Sequence, residues 1–291
     1  IWDSFVADGE RRTFAPLWWR TWRFAELAIE TKEQPLTLEA MRAFETGYPF
    51  EKIGSFASDD AQLARIFDIG WRTAQVDAHE TYMDTAYWEQ LQYAGDTRLQ
   101  MLISYAVSGD ARLAEQAIEA FAGSDVDGGL MSAAYPVREP GTIATFPLLW
   151  IAMLDDWRMQ QPDPAPIVRN IARMRRVLAW FDAYRQPSGL QGKNPHWNFI
   201  DWAGQPSTDR SRFPSYGKTN ESCLISVSLL GALQQAARLE AAHGDAAVAA
   251  RNTTEADALK MAIRARCWNP ARRLFADNPD GDMFSQHMNA L

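Results

Sequence analysis

The chain has 291 residues, a formal net charge of −8 and 47% hydrophobic residues, which is enough to bury the core of one large domain. The acidic balance argues against a nucleic-acid partner, because binding phosphates requires clustered Lys and Arg side chains. No apolar run of about 18 residues is present, so we expect no membrane-spanning helix and no membrane partner.

Residues 1–55 differ in pattern from the rest of the chain. The segment WWRTWRF at residues 18–24 shows an alternation that is typical of β-strands. GYPFEKIGSF at residues 47–56 contains Gly and Pro, as linkers do. We therefore predict strands followed by a linker over residues 1–55.

From Ser58 onward the pattern becomes helical. A Ser/Asp capping signal opens the segment, and apolar residues then recur at helical spacing, beginning with Leu63, Ile66 and Phe67. About seven helices are predicted in all, many joined by short loops. Helices that arrive as hairpins indicate a toroid of helix pairs, although a bundle would also fit. A six-hairpin toroid needs twelve helices, so we expect the chain to be a piece of a longer protein.

The cysteines and the first residue leave the cellular compartment unknown. Cys223 and Cys267 are isolated, and we expect them to form neither a disulfide framework nor a metal cluster. No secretory signal is visible, but the chain begins at Ile1 rather than at Met. Both the bacterial cytoplasm and a periplasmic or secreted location fit these observations.

The segment HETYMDTAYWEQLQYAGDTRLQ, at residues 79–100, gathers acids and aromatic rings. Asp84 and Glu89 would lie about 140° apart on one helix, so we predict Asp84 in a loop or at a helix start and Glu89 in the first turns after it. Asp96 follows Gly95 at a second boundary, where it could cap the next helix or belong to a site. Glu89 is either a solvated residue or a carboxyl beside Trp88 whose raised pKa would suit a general acid.

Metal and cofactor chemistry find little support in the sequence. His79 and Glu80 begin a zinc-protease motif, but Met83 stands where its second His would be. The nucleophile elbow, the phosphate loop and the dinucleotide fingerprint are absent. We therefore expect no metal and no cofactor.

The residues from Asp84 to Asp96 resemble the signature of the bacterial α-L-rhamnosidase family of glycoside hydrolases, which runs Asp-Cys-Pro-x-Arg-Glu-Arg-x-Gly-Trp-x-Gly-Asp. The first Asp, the Glu and the final Gly-Asp keep their spacing here. The resemblance extends to FAPLWWRTWRFAEL at 14–27, to HWNFIDW at 196–202 and to FSQHMNAL at 284–291. It therefore covers nearly the whole chain.

This resemblance implies a mainly α fold. Residues 56–291 would form the N-terminal part of an (α/α)6 catalytic barrel, incomplete in this chain. Residues 1–55 would be the C-terminal strands of a β-sandwich domain with a linker. The implied activity is inverting hydrolysis of terminal α-L-rhamnosides. The implied partners are a rhamnose-containing carbohydrate and the remaining domains of the same longer protein.

The resemblance also assigns roles to single residues. Glu89 matches the general acid, and its catalytic base would be a Glu farther along than this chain reaches. The sugar would be held or lined by Asp84, Asp96, Trp88, Trp150, Asp201 and Trp202. The sequence departs from the signature at Thr85 and Ala86, and Trp88 and Gln90 replace the Arg pair that flanks the acid. Losing those cations would change how Glu89 is tuned and which sugar is held.

Two alternatives stay open. One is another helical-barrel carbohydrate enzyme, acting on a different deoxy- or uronic sugar, or a lyase whose base would be Tyr82, Tyr87 or His79. The other is a sugar-binding or scaffold module that keeps the fold with an inactive site. The replaced Arg pair motivates the second alternative.

Overall fold

The computed structural model describes residues 2–202 and 216–290, and helices dominate them. The prediction of a mainly α fold is confirmed, with the seven expected helices present as α1 to α7 and a short α8 added. The helices in these residues are α1 Ala61–Val76, α2 Ala94–Val107, α3 Arg112–Gly123, α4 Phe146–Gln160, α5 Ala165–Asp182, α6 Cys223–His243, α7 Ala246–Cys267 and α8 Gln286–Ala290.

The long helices form three successive hairpins, α2 with α3, α4 with α5, and α6 with α7. Helices α2, α4 and α6 pack against one another in series, and α3 packs against α5 behind them. Eleven of the 15 residues of α4 are buried, which is typical of a helix covered on all sides. The paired layers are those of an (α/α) barrel portion, with α2, α4 and α6 as the inner helices.

Side-chain caps mark several helix starts. Asp60 Oδ1 accepts a hydrogen bond from the Gln62 amide at 2.8 Å before α1, and Asp245 Oδ1 accepts one from the Ala247 amide at 2.7 Å before α7. Such caps pair backbone N–H groups that have no partner within the helix, each stabilising it by about 1 kcal/mol. The capping signal read at the start of the helical region is therefore confirmed at Asp60.

The strands of the structure are short. β1 Gln191–Gly192 pairs with β2 Glu221–Ser222, and β3 Trp268–Asn269 pairs with β4 Leu274–Phe275, both antiparallel. Residues 2–57 contain no strand and are mostly exposed, so the strands predicted there are not found. A strand needs a neighbour to complete its hydrogen bonds, and the described residues offer this segment none. Its assignment to a β-sandwich domain stays a prediction.

Cys223 and Cys267, which we did not expect to pair, are joined by a disulfide. The α6–α7 hairpin explains the pairing, because it returns the end of α7 to the start of α6. The Cα atoms lie 6.1 Å apart although 44 residues separate the two cysteines in sequence. Both side chains are buried. Among the described helices, none is long and apolar enough to cross a membrane.

Candidate active site

Residues 84–91 form a closed loop ahead of α2. The Asp84 amide donates to the Leu91 carbonyl, and the Leu91 amide donates to Asp84 Oδ1, both at 2.9 Å. Thr85 Oγ1 accepts hydrogen bonds from the amides of Trp88 and Glu89 at 3.2 Å. Glu89 therefore lies exposed on a turn. Its predicted place in the first turns of a helix is wrong, because the loop closes on Asp84 before α2 begins.

The carboxyls of Asp84, Glu89 and Asp96 interact electrostatically, and those of Asp77 and Asp201 each interact with members of this group. Burial raises the pKa of Asp96, and the negative charges of Asp84, Asp201 and Glu89 raise it further. We call these five carboxyls the acid cluster. It lies at the N-terminal end of α2, where the partial positive charge of the helix favours anions.

Asp96 occupies the first turn of α2 rather than its cap. The N-cap residue is Tyr93, and its side chain forms no capping hydrogen bond. The alternative role of Asp96 as a helix cap is therefore not seen. Next to it, a Cβ added to Gly95 would lie 3.3 Å from Phe146 Cζ, so the small residue allows α2 and α4 to approach closely.

Asp77 is the member of the acid cluster that sequence reasoning missed. It follows α1 directly and is 8% exposed. Burial and the charges of Asp84 and Asp96 raise its pKa to about 6, against an opposing hydrogen bond from the Ala86 amide. Burial also raises the pKa of Asp84, although the Leu91 amide opposes this shift. Such carboxyls exchange protons in weakly acidic solution, so they can both donate hydrogen bonds to hydroxyls and accept them.

Among the described residues, no ion pair neutralises a carboxyl of the acid cluster. Within residues 2–202 and 216–290, no Lys, Arg or His forms a salt bridge with any of its five members, although ion pairs are frequent elsewhere. In the same described residues, no three His, Cys, Asp or Glu side chains converge as metal ligands would.

Tyr93 is a second residue that sequence reasoning did not assign to the site. Burial raises its pKa to about 12, and a hydrogen bond to the Glu89 carboxylate adds to this shift. The phenol therefore keeps its proton at neutral pH. It serves as a hydrogen-bond donor beside Glu89.

Aromatic rings lead from Tyr93 away from the acid cluster. The Phe146 ring lies 6.3 Å from those of Tyr93 and Phe199, and Phe199 lies 5.0 Å from Trp202 and 4.6 Å from Trp197. We call these five rings the aromatic wall. Trp202 is 61% exposed and Trp197 50% exposed. Trp197 was not predicted as a site residue.

Two hydrogen bonds hold the 197–202 segment against the start of α4. The Ala144 amide donates to the Trp197 carbonyl at 3.0 Å, and Thr145 Oγ1 donates to the Phe199 carbonyl. They hold the stretch that carries Asp201 and Trp202 against the start of α4, and the charge of Asp201 acts on Asp96 in the first turn of α2. The predicted sugar-binding role of Asp201 and Trp202 stays a prediction.

The two remaining predicted rings have different surroundings. Trp88 is 83% exposed on the loop, and its ring meets Tyr87 edge-on at 5.0 Å. Trp150 is fully buried in α4, and its Nε1 donates to the Ile118 carbonyl at 3.0 Å. The assignment of Trp150 to the pocket needs correction, because its ring is part of the helical core and presents no surface to a sugar.

The residues considered as lyase bases are poorly placed for that role. Tyr82 is buried, and its hydroxyl donates to Ser104 Oγ at 2.9 Å. His79 is buried against Trp19, with 3.8 Å between ring centroids, and burial lowers its pKa. Of the three, only Tyr87 is exposed.

Comparison with known proteins finds one matching domain family and several solved structures of similar fold. Residues 51–290 match the bacterial α-L-rhamnosidase six-hairpin glycosidase domain. Among solved structures, the chain resembles a GH78 family rhamnosidase of Bacillus sp. GL1, with 24% identity over 81% of this chain and a TM-score of 0.71. It also resembles a Klebsiella oxytoca rhamnosidase with rhamnose bound, with 21% identity over 78% of this chain and a TM-score of 0.67.

A third similar structure is the Streptomyces avermitilis α-L-rhamnosidase complexed with L-rhamnose, with 12% identity over 77% of this chain and a TM-score of 0.61. The chain covers 24%, 42% and 20% of these three proteins respectively. At these identities the likeness shows a shared fold. Among curated protein sequences, none matches the chain.

Proposed function

The chain belongs to the family of bacterial α-L-rhamnosidase six-hairpin glycosidase domains, and on this premise we propose that the protein hydrolyses terminal α-L-rhamnosides with inversion at the anomeric carbon. The observation that carries the proposal is the acid cluster beside the aromatic wall. Sugar sites combine these groups, since apolar ring faces stack on aromatic side chains while hydroxyls bond to carboxyls.

Glu89 is the proposed general acid. It stands exposed on its turn, where a glycosidic oxygen can approach, and its carboxylate contributes to the raised pKa of the neighbouring Tyr93 phenol. Its proton passes to the leaving oxygen as the bond to the anomeric carbon breaks. Water attacks the opposite face, activated by a second carboxylate about 6.5–9.5 Å away. The family resemblance assigns that base to a Glu beyond residue 291.

The other acids are proposed to hold the sugar. Asp84 uses Oδ1 to close the loop with Leu91, which leaves Oδ2 for a sugar hydroxyl. Asp96 and Asp201 supply further carboxyl oxygens, and burial keeps the pKa of Asp96 raised. Trp88 and Trp202 are proposed as the aromatic rings on which the sugar stacks. Rhamnose is the sugar named with two of the similar structures.

The test is hydrolysis of a panel of aryl glycosides by the longest natural form of the protein, with Glu89→Gln beside the wild type. We expect cleavage of the α-L-rhamnoside, and a loss of about 10²–10⁴-fold in Glu89→Gln with rhamnose binding retained. Glu80→Gln is the matched control, because Glu80 is an exposed acid in the same segment. It should keep wild-type turnover.

Other outcomes of this assay would favour one of the alternative functions. Cleavage of a different sugar alone would replace rhamnose in the proposal and turn attention to Trp88 and Gln90, which stand where the family signature has Arg. Rhamnose binding without any turnover would favour an inactive sugar-binding module. Equal turnover in Glu89→Gln and the wild type would remove Glu89 as the general acid.

A further inference from the structure

We propose that Trp18 and Gln90 are positioning residues for Glu89, so that the segment preceding the helices helps to orient the general acid. The proposal rests on the function proposed for Glu89. The direct observation is that the Trp18 indole N–H donates to Gln90 Oε1 at 2.8 Å across 72 residues of sequence. Gln90 follows Glu89 directly.

Gln90 joins two parts of the loop through one side-chain amide. Its Oε1 accepts the bond from Trp18, while its Nε2 donates to the Ala86 carbonyl at 3.0 Å. The Glu89 turn lies between Ala86 and Gln90, so this amide ties the two ends of the turn together. The backbone of Gln90 is also left-handed, with a φ of 55°. A non-glycine residue in this conformation needs support from its surroundings.

Trp19 contacts the chain on the other side of the Glu89 turn, ahead of the loop. Its ring stacks on His79 with 3.8 Å between centroids and 10° between planes, and it also stacks on Trp18 at 5.8 Å. His79 lies five residues before Asp84, while Gln90 lies six residues after it. The adjacent pair Trp18-Trp19 thus contacts the chain on both sides of the Glu89 turn. We call this pair the tryptophan clip.

Loss of the tryptophan clip should slow proton donation to the leaving group more than any other step. A general acid matters most when the leaving group is a poor one that needs a proton, and little when the departing anion is already stable. Misorienting Glu89 should therefore slow the hydrolysis of alkyl or disaccharide rhamnosides more than that of a dinitrophenyl rhamnoside. Binding of the sugar, which rests on Asp96 and the aromatic wall, should change little.

The experiment compares Trp18→Phe and Gln90→Met, alone and together, in the longest natural form of the protein. Trp18→Phe removes the indole donor, and Gln90→Met removes both amide bonds at nearly constant length. Each should lower kcat for a methyl or disaccharide rhamnoside by about 10-fold, with KM within about twofold and the dinitrophenyl substrate almost unaffected. The double variant should lose little more turnover than the worse single variant, because both substitutions break the same Trp18–Gln90 hydrogen bond.

Trp22→Phe is the matched control, since Trp22 lies on the same segment and is 54% exposed. It should behave as the wild type. Hydrogen–deuterium exchange provides a readout independent of turnover. The amides of residues 85–91 should exchange several times faster in Trp18→Phe and Gln90→Met, but not in Trp22→Phe.

Unchanged exchange and unchanged kcat in both single variants would overturn the proposal. Faster exchange with equal losses on good and poor leaving groups would overturn the catalytic role and leave only a structural contact. If the wild type cleaves no glycoside, the proposed function fails, the positioning role fails with it, and the exchange data decide whether the clip exists.

Discussion

Replacing Asp77 with Asn should stabilise the protein at neutral pH. Asp77 is 8% exposed, and burial together with the charges of Asp84 and Asp96 raises its pKa from 3.8 to about 6. Asn keeps an acceptor for the Ala86 amide and removes the charge. This substitution therefore measures the free-energy cost of ionising Asp77 in the folded state.

The magnitude follows from the raised pKa. A change from 3.8 to about 6, at about 1.4 kcal/mol for each tenfold change in proton affinity, corresponds to about 3 kcal/mol. Water at the partly open cluster reduces this, so we expect a gain of about 1–3 kcal/mol in the free energy of unfolding. The folded state holds the proton more tightly than the unfolded state. The penalty is therefore absent below about pH 4, grows between pH 4 and 6 and is complete above pH 6.

Thermal unfolding of wild type and Asp77→Asn between pH 4 and 8 tests this prediction. The variant should melt about 2–5 °C higher at pH 8, and the difference should vanish toward pH 4. Asp257→Asn is the control, because Asp257 is exposed on α7 and its replacement should matter little at any pH. A lower melting temperature for Asp77→Asn at pH 8, or a difference independent of pH, would refute the reasoning.

Three further predictions concern stability. Replacing Cys223 and Cys267 with Ser should cost about 3–4 kcal/mol, because the disulfide closes a loop of 44 residues; denaturant unfolding would measure this. Trp150→Ala should cost about 3–5 kcal/mol in the same assay, since its ring is fully buried. Arg175→Ala should cost about 2–4 kcal/mol at pH 7, because it leaves the buried Glu240 carboxylate without its two hydrogen bonds of 2.7 and 2.8 Å.

For each of these three stability predictions, one experimental result would contradict the reasoning. Two free thiols in the denatured, unreduced protein would show that the disulfide is absent. A loss at Trp150 no larger than that of Trp2→Ala, whose ring is 85% exposed, would place Trp150 outside the core. Although burial opposes it, bonding to Arg175 holds the pKa of Glu240 below its usual value. The Arg175→Ala loss should therefore shrink as the pH falls toward 4, and a constant loss would contradict the ion-pair account.

The helices could be predicted from the sequence because their signals are local. Apolar spacing and caps such as Asp60 and Asp245 lie within one or two turns of the elements that they define. Strands depend on a partner, and the alternation at residues 18–24 gave no information about one. The rings of Trp18 and Trp19 instead contact the loop that carries Glu89.

Other features depend on tertiary contacts that sequence spacing does not contain. The disulfide forms because the α6–α7 hairpin brings the end of α7 back to the start of α6. Asp77 looks like an ordinary residue after a helix until the loop folds back over it. Trp150 was assigned to the pocket from the family resemblance without a motif that fixed its place, and a continuous apolar run in α4 gives no clue to which face meets solvent.

The protonation of the acid cluster depends on burial and on the charges around it. Trp88 and Gln90 stand where the family signature has Arg, and the described residues supply no other cation to the five carboxyls. Burial first, and then the charges of neighbouring carboxylates, raise the pKa values of Asp77, Asp84 and Asp96, so these groups take up protons more readily than exposed carboxyls do. A partly protonated cluster offers hydrogen-bond donors and acceptors together, which suits a neutral, hydroxyl-rich ligand. Because Gln90 stands in place of an Arg, its side-chain oxygen can accept the hydrogen bond from the Trp18 indole and so hold the Glu89 turn.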